Sequence, residues 1–185
     1  MSEAWWKEAV VYQIYPQSFK DTNNLRDLQG VISKIPYLKS LGVDVVWICP
    51  IFKSPQHDNG YDIADYYEID PRYGTVQDVE ELIAGLKKEG IKLLLDLVVY
   101  HTSDENEWFI ESRKSKASPK RDWYIWKPAK NDQEGNRLPP TNWRSLMFGG
   151  STWEWDESTK EYYLHSFCKE QPDLSWENPE DSEWT

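Results

Sequence analysis

Acidic and aromatic side chains cluster in one segment of the sequence where they could bind a polyhydroxylated ligand. In the segment 57–62, Asp58 and Asp62 flank Tyr61. Carboxylates accept paired hydrogen bonds from neighbouring hydroxyls, and an aromatic ring packs against the apolar face of a sugar ring. The alternative interpretation is a turn of Pro, Asn and Gly that carries solvated acids.

A histidine forms the second candidate group. His101 follows the apolar run 96–99, which ends a predicted strand. In parallel α/β folds functional groups gather at the carboxyl ends of strands, and a neutral imidazole there could donate a hydrogen bond to a substrate hydroxyl or to developing charge. The alternative is a histidine with a purely structural role.

The segment 21–27 carries alternating Asp and Asn oxygens, which are ligands that calcium prefers. Its candidate ligands are Asp21, Asn23 and Asp27, but the central acid and glycine of a calcium loop are missing, and Arg26 adds a positive charge. We therefore expect no Ca²⁺ or Mg²⁺ in this loop. No other cofactor is expected, since the sequence has no nucleotide-binding, zinc-protease or serine-hydrolase motif.

The elements that would position these residues alternate between strands and helices. Apolar and β-branched runs predict strands, and apolar residues at helical spacing predict helices. Strands are predicted at 10–15, 43–48 and 91–99, and helices at 27–41 and 77–88. This β-α-β-α-β order with apolar strands is typical of an α/β fold in which helices flank a parallel sheet.

Particular residues define the ends of the two helices. Pro36 either kinks the first helix or divides it in two, and Gly42 follows at its end. Thr75 and Asp78 form a capping pair for the second helix, and Gly90 ends it.

The region from 102 to 177 is polar, rich in Trp, Pro and Asn, and shows none of this regularity. It resembles an irregular subdomain inserted after the third strand. Within it, segments 152–156 and 161–167 predict a β-hairpin, since four turn-forming residues separate them.

Composition excludes several classes of function. The chain has 185 residues and a formal net charge of −11, which argues against nucleic-acid binding and against a polybasic membrane anchor. It shows no secretory signal and no apolar stretch that could span a bilayer. Cys49 and Cys168 predict two buried free thiols. We therefore expect a cytoplasmic protein without nucleic-acid or membrane partners.

Several ordered blocks of the sequence resemble the α-amylase family of glycoside hydrolases. These blocks are residues 9–16, 58–62, 96–99, 101–105, 121–126 and 171–174. The block 171–174 points to the oligo-1,6-glucosidase and α-glucosidase branch of that family. The resemblance extends from Trp5 to Pro179.

The resemblance implies a (β/α)8 TIM barrel of which this chain is the N-terminal part. Residues 1–101 would contribute the first three strands, 102–177 would be the B subdomain inserted after strand three, and 178–185 would begin the return to the barrel. The family implies an exo-acting, retaining α-glucosidase that acts on short α-glucosides such as isomalto- and malto-oligosaccharides.

The resemblance also assigns substrate-binding roles. The residues concerned are Asp58, Tyr61, His101, Phe148, Phe167 and Gln171. Asp58 would bind hydroxyls of the non-reducing glucosyl unit, Tyr61 would stack under its ring, and His101 would bind its primary hydroxyl. Phe148 matches an aromatic residue on the acceptor side, and the remaining two match pocket positions of the B subdomain.

The sequence departs from the family pattern in four respects, one of which is a minor change at Gln17, a position that is often basic. The loop after strand one is shorter, which disfavours the bound metal, and Tyr100 stands where relatives have Asn, beside the active-site histidine. The family's nucleophile, acid/base and stabilising carboxylates follow later strands and would lie beyond Thr185. We therefore assign no catalytic residue, and we expect the isolated fragment to be inactive.

Two alternative functions remain open from the sequence. A sucrose isomerase, trehalulose synthase or related transglycosylase would share the pocket but transfer the glucosyl unit to sugar. A non-catalytic, sugar-binding member of the family would share only the binding residues.

Overall fold

The computed structural model describes residues 4–22 and 25–178. The chain divides into two compact units, and the domain boundaries expected from the sequence remain a prediction. The first unit comprises Met1–Lys53 and Tyr66–Leu97, and the second comprises Ser54–Asp65 and Val98–Thr185.

Seven strands and four α-helices are described between a 3-10 turn at Trp5–Lys7 and residue Leu95. The strands are β1 (Val11–Ile14), β2 (Asp21–Thr22), β3 (Leu25–Arg26), β4 (Val45–Ile48), β5 (Phe52–Lys53), β6 (Asp65–Ile69) and β7 (Lys92–Leu95). The α-helices are α1 (Pro16–Phe19), α2 (Leu28–Ser33), α3 (Ile35–Ser40) and α4 (Val76–Lys88).

The predicted parallel sheet is present in the first unit, with the strand order β1-β4-β7. Ile14 pairs with Ile48, and Ile48 pairs with Leu95. β7 ends at Leu95 because β4, the strand beside it, ends directly opposite at Ile48. The prediction of a strand over 91–99 is therefore wrong beyond Leu95.

The helix ends follow from the residues that the sequence singled out. Pro36 lies in the first turn of α3, so that the predicted helix 27–41 is divided into α2 and α3 rather than kinked. The predicted capping pair is confirmed, since Asp78 N donates to Thr75 Oγ1 and Thr75 N donates to Asp78 Oδ2. Gly90 follows α4 with a φ of 75°, a conformation that favours glycine.

The core of the first unit lies between one face of the sheet and the helices. Its buried apolar residues include Ile14, Val31, Val46, Ile48, Leu82 and Leu86. The alternate positions of the strands face the other side, where Val11 and Leu94 are 51% and 49% exposed. The helices of this unit thus cover only one face of the sheet.

In its described residues, up to 178, the second unit contains short strands, one short α-helix and a 3-10 turn at Arg121–Trp123. Its elements are α5 (Glu107–Ser112), β8 (Trp126–Lys127), β9 (Lys130–Asn131), β10 (Arg137–Leu138), β11 (Trp153–Asp156) and β12 (Glu161–Leu164). The predicted hairpin is confirmed, since β11 pairs with β12 and Trp153 lies opposite Leu164. Trp153 is the first residue of β11 and pairs with Leu164, so β12 ends at Leu164. The predicted strand over 161–167 is therefore too long.

Aromatic side chains form the core of the second unit. Phe109 is fully buried, and its ring centroid lies 5.0 Å from those of Tyr124 and Tyr163. Trp126 stacks on Phe109 at 5.7 Å. Much of the aromatic content of this unit therefore serves packing. Within the part of the chain that the structure describes, every helix is too short or too polar to cross a membrane.

Candidate functional site

The candidate site lies within the second unit, where the turn 57–62 and the loop 165–173 meet at His101. An isolated antiparallel bridge pairs His101 with Asp173, and Thr102 N donates a hydrogen bond to Pro172 O at 3.3 Å. These backbone contacts fix the histidine beside the loop that follows β12.

Gln171 occupies the centre of this site and is fully buried. Its Nε2 lies 3.0 Å from Asp58 Oδ2 and 3.0 Å from His101 Nε2. Its Oε1 accepts hydrogen bonds from the backbone N and the Sγ of Cys168, at 3.2 and 3.0 Å. Because a backbone N–H can only donate, the carbonyl end of the amide faces Cys168 and the NH₂ end faces the two functional groups.

His101 is only 5% exposed, and this burial lowers its pKa from the ordinary value of 6.5. The carbonyl oxygen of Tyr61, 3.0 Å from the histidine Nε2, opposes the shift. Three nearby carboxylates oppose it as well, namely Asp173, Asp58 and Asp62. Because burial outweighs them, the ring is neutral at physiological pH, with one nitrogen as donor and the other as acceptor.

The turn that carries Asp58 is held by a second, fully buried carboxylate. Asp62 accepts hydrogen bonds from the backbone N of His57 at 2.8 Å and from the backbone N of Asp58 at 3.0 Å. Asn59 and Gly60 complete the turn with positive φ angles of 50° and 95°. The buried acid thus positions the half-buried one.

Aromatic rings form one wall of the site. The ring centroid of Phe167 lies 5.2 Å from that of His101, and Tyr100 contacts both rings edge-on at 6.4 and 6.5 Å. The hydroxyl of Tyr100 lies 3.2 Å from Ser166 Oγ, which itself donates to Asp173 Oδ2 at 2.6 Å. Tyr100 is therefore part of the wall, and His101 stays in contact with Gln171 beside it.

Burial raises the pKa of Asp173, while its hydrogen bonds from Ser166 lower it. The side chain is almost inaccessible to solvent, and Ser166 donates to it from both its hydroxyl and its backbone N. This carboxylate fixes the start of the loop that carries Phe167.

The six substrate-binding residues predicted from the sequence differ in how closely their side chains approach one another. Gln171 lies at hydrogen-bonding distance from both Asp58 and His101, and the Phe167 ring packs against that of His101. The carbonyl oxygen of Tyr61 lies 3.0 Å from His101 Nε2. Phe148 is 50% exposed, and its backbone N donates a hydrogen bond to Ser145 Oγ at 3.3 Å. Their substrate-binding roles stay predictions.

The weak metal candidates are only partly described. Asn23 and the side chain of Asp21 lie outside the described residues. Asp27 caps α2, since its Oδ1 accepts a hydrogen bond from Gly30 N at 2.8 Å. Among the described residues, no group of three or more His, Cys, Asp or Glu side chains could hold a metal ion.

A half-buried carboxylate, a neutral imidazole and an oriented amide beside aromatic rings can bind vicinal hydroxyls and pack on a sugar ring. Over residues 13–183 the sequence matches the family described as the α-amylase catalytic domain. The chain belongs to the α-amylase family.

The relatives of this α-amylase family chain confirm the branch indicated by residues 171–174. It is 58% identical over 177 residues to an α-glucosidase of Schizosaccharomyces pombe, covering 95% of this chain and 30% of the relative. It is 59% identical over 181 residues to an oligo-1,6-glucosidase of Parageobacillus thermoglucosidasius, covering 97% of this chain and 31% of the relative. The chain thus spans about a third of the length of these relatives.

Solved structures of the family show the same fold over this length. The isomaltulose synthase of Protaminobacter rubrum superimposes with a TM-score of 0.92 at 51% identity, covering 99% of this chain and 32% of that chain. The trehalose-6-phosphate hydrolase of Bacillus licheniformis gives a TM-score of 0.92 at 52% identity, covering 98% and 32%.

The structural roles of two acidic residues of the site, Asp62 and Asp173, were not predicted from the sequence. Both lie in the blocks that carry the resemblance. Asp62 was considered only as a second ligand-binding carboxylate beside Tyr61, not as the acid that holds the turn, and Asp173 was assigned no role. Their burial was the missing information, since an acid in a polar loop is indistinguishable by sequence from a solvated one. Their position inside those blocks was the signal that could have found them.

Proposed function

We propose that the full-length protein is an exo-acting, retaining α-glucosidase of the oligo-1,6-glucosidase type that acts on short α-glucosides. The observation that carries this proposal is the buried hydrogen-bonded group of Asp58, Gln171 and His101 against the ring of Phe167. Its donors, acceptors and ring fit one terminal glucosyl unit. A relative named oligo-1,6-glucosidase at 59% identity supports this substrate class.

Each residue has a proposed role in binding that unit. The Asp58 carboxylate accepts hydrogen bonds from two of its hydroxyls, and neutral His101 binds its primary hydroxyl. Tyr61 stacks under the sugar ring, while Phe167 and Gln171 complete the pocket. Phe148 lines the acceptor side. A pocket that binds the non-reducing end in this way favours exo attack.

The remaining architecture is part of the same proposal. The sheet of the first unit would be the beginning of an eight-stranded barrel, and residues 102–177 would be the inserted B subdomain. The exposure of Val11 and Leu94 on one face of the sheet supports further strands packing there. The cytoplasmic location is supported by Cys49 and Cys168, which are buried thiols not joined in a disulfide.

The catalytic carboxylates would come from the part of the relatives' length that this chain does not cover. A retaining glycosidase needs a carboxylate nucleophile and a carboxylic general acid at the scissile bond. We therefore propose that the 185 residues alone bind part of a substrate and hydrolyse none. Turnover of p-nitrophenyl α-glucoside by the isolated chain would overturn this part of the proposal.

A sucrose isomerase or trehalulose-forming transglycosylase is the second candidate function. It is favoured by the similarity to a solved isomaltulose synthase at 51% identity. Both functions use the same glucosyl pocket and differ in whether water or a sugar accepts the glucosyl unit.

Product analysis of the full-length protein tests the proposal. With isomaltotriose we expect release of glucose from the non-reducing end as the α-anomer, and with sucrose we expect hydrolysis. Conversion of sucrose into isomers with little free glucose would favour the second candidate. Calorimetric binding of isomaltose without any turnover would identify a non-catalytic sugar-binding protein.

A further inference from the structure

The loop 145–150 holds three consecutive apolar side chains out of the core of the second unit. Leu146, Met147 and Phe148 are 72%, 67% and 50% exposed. Gly149 and Gly150 follow with φ angles of 76° and 77°, a conformation that favours glycine. Two such glycines beside exposed apolar residues would leave the loop poorly defined unless other contacts anchor it.

A single buried hydroxyl supplies such an anchor. Ser145 Oγ donates a hydrogen bond to Phe167 O at 2.7 Å and accepts one from Phe148 N at 3.3 Å. The serine is only 9% exposed, so little water competes for these bonds. One side chain thus joins the backbones of the two phenylalanines that were assigned to the pocket.

Backbone hydrogen bonds around Ser145 also hold the loop 145–150 in place. Leu146 N donates to Ser166 O at 2.9 Å, and Ser145 N donates to Gly150 O at 3.2 Å. His165 Nδ1 lies 3.1 Å from the same Phe167 carbonyl. The loop 145–150 is therefore held against the segment after β12 by backbone hydrogen bonds. The Ser145 hydroxyl adds hydrogen bonds to the backbones of both Phe148 and Phe167.

We propose that Ser145 is a positioning residue that sets Phe148 and Phe167 relative to one another. Phe167 packs on His101, and Phe148 is assigned to the acceptor side. The serine therefore couples the two sides of the bond to be cleaved without touching the substrate. This inference rests on the proposed function of the site, and it assigns a role to a residue outside the sugar-binding group.

The test compares three variants of the full-length protein: Ser145→Ala, Ser145→Thr and, as a matched control, Ser40→Ala. Ser40 also donates its hydroxyl to a backbone carbonyl, that of Tyr37 at 2.7 Å, in the first unit. We expect Ser145→Ala to lower kcat/KM for isomaltose about 10-fold, with α-glucosyl fluoride affected less than about threefold because it carries no acceptor ring. Ser145→Thr restores the hydroxyl and should recover most of the loss.

Amide hydrogen exchange of residues 146–150 gives a readout that does not depend on activity. Ser145→Ala should accelerate the exchange of the Phe148 amide, whereas Ser40→Ala should leave it unchanged. Unchanged exchange, or equal losses on isomaltose and glucosyl fluoride, would overturn the positioning role. If wild type hydrolyses neither substrate, the proposed function fails, and the exchange experiment still decides whether Ser145 holds the loop.

Discussion

Gln171 donates a hydrogen bond from its buried amide to Asp58 at 3.0 Å, across 113 residues of sequence. The amide is fully buried and the carboxylate is half-buried. Among the described residues, no group donates to the other carboxylate oxygen, Oδ1. The bond thus restrains Asp58 through Oδ2, and in the proposed binding role Oδ1 and the remaining lone pair of Oδ2 accept from the two sugar hydroxyls.

The orientation of the Gln171 amide depends on Cys168. Burial raises the pKa of the Cys168 thiol to about 12, so it is protonated and donates to Oε1. With the backbone N of the same residue, it makes the alternative orientation of the amide unfavourable.

Replacing Gln171 with Glu should remove the hydrogen bond to Asp58 while keeping the size and shape of the side chain. A carboxylate at this position would face that of Asp58 and could no longer donate to it, and like charges at this distance repel. We expect kcat/KM of the full-length protein on isomaltose to fall at least about 100-fold. Gln133→Glu makes the same change at an exposed position and should have no measurable effect. A similar loss in both variants would contradict a specific role for Gln171.

The turn that carries Asp58 should depend on Asp62. Asp62→Ala removes the acceptor of two backbone N–H groups, and each unsatisfied group costs about 1–3 kcal/mol if it stays buried. We expect a lower melting temperature together with a raised KM for isomaltose. A lower melting temperature with unchanged KM would mean that Asp62 only stabilises the fold.

The lowered pKa of His101 predicts a dependence of stability on pH. Because the unfolded histidine titrates near 6.5 and the folded one lower, the unfolded state takes up its proton first as the pH falls. The contribution of neutral His101 to stability is therefore complete above pH 6.5 and is lost as the pH falls below that value. Activity should decline in the same acidic range.

Thermal melts between pH 5 and pH 8 can isolate this contribution. The melting temperature of wild type should fall toward acid pH more steeply than that of His101→Gln. His57→Gln, at an exposed histidine in the neighbouring turn, serves as the control and should follow wild type. Parallel curves for wild type and His101→Gln would show that burial does not lower the pKa of His101.

Tyr100 should act through its ring more than through its hydroxyl. Its hydroxyl bond to Ser166 is partly exposed and is worth about 1 kcal/mol at most, so Tyr100→Phe should retain activity within about threefold. Tyr100→Ala removes the edge contacts to Phe167 and His101 and should raise KM more than it lowers kcat. Higher activity in Tyr100→Asn than in wild type would instead show that the phenol disturbs the pocket.

Local sequence signals predicted much of the first unit. The capping pair of Thr75 and Asp78 lies within four consecutive residues, and the apolar spacing that defines α4 repeats along one segment. These patterns need no information from elsewhere in the chain. The end of β7 was mispredicted because it depends on the length of β4, which lies far from it in sequence.

The candidate site was predictable to the extent that the family resemblance named its residues. Asp58, His101 and Gln171 were identified from their blocks, and the structure brings them together. Residue types alone left each of them with a structural alternative. The roles of Asp62, Cys168 and Ser145 arise from hydrogen bonds in the folded chain, and no periodicity or spacing encodes these contacts.

The most direct test of the sugar-binding role is the kinetics of Asp58→Asn in the full-length protein. Asparagine keeps the size of the side chain and an oxygen that can accept from Gln171, but it removes the negative charge that strengthens hydrogen bonds to sugar hydroxyls. We expect kcat/KM on isomaltose to fall at least about 100-fold, with a melting temperature within about 2 °C of wild type. Wild-type kcat/KM in this variant would contradict the assignment of the buried group around Gln171 as the glucosyl-binding site.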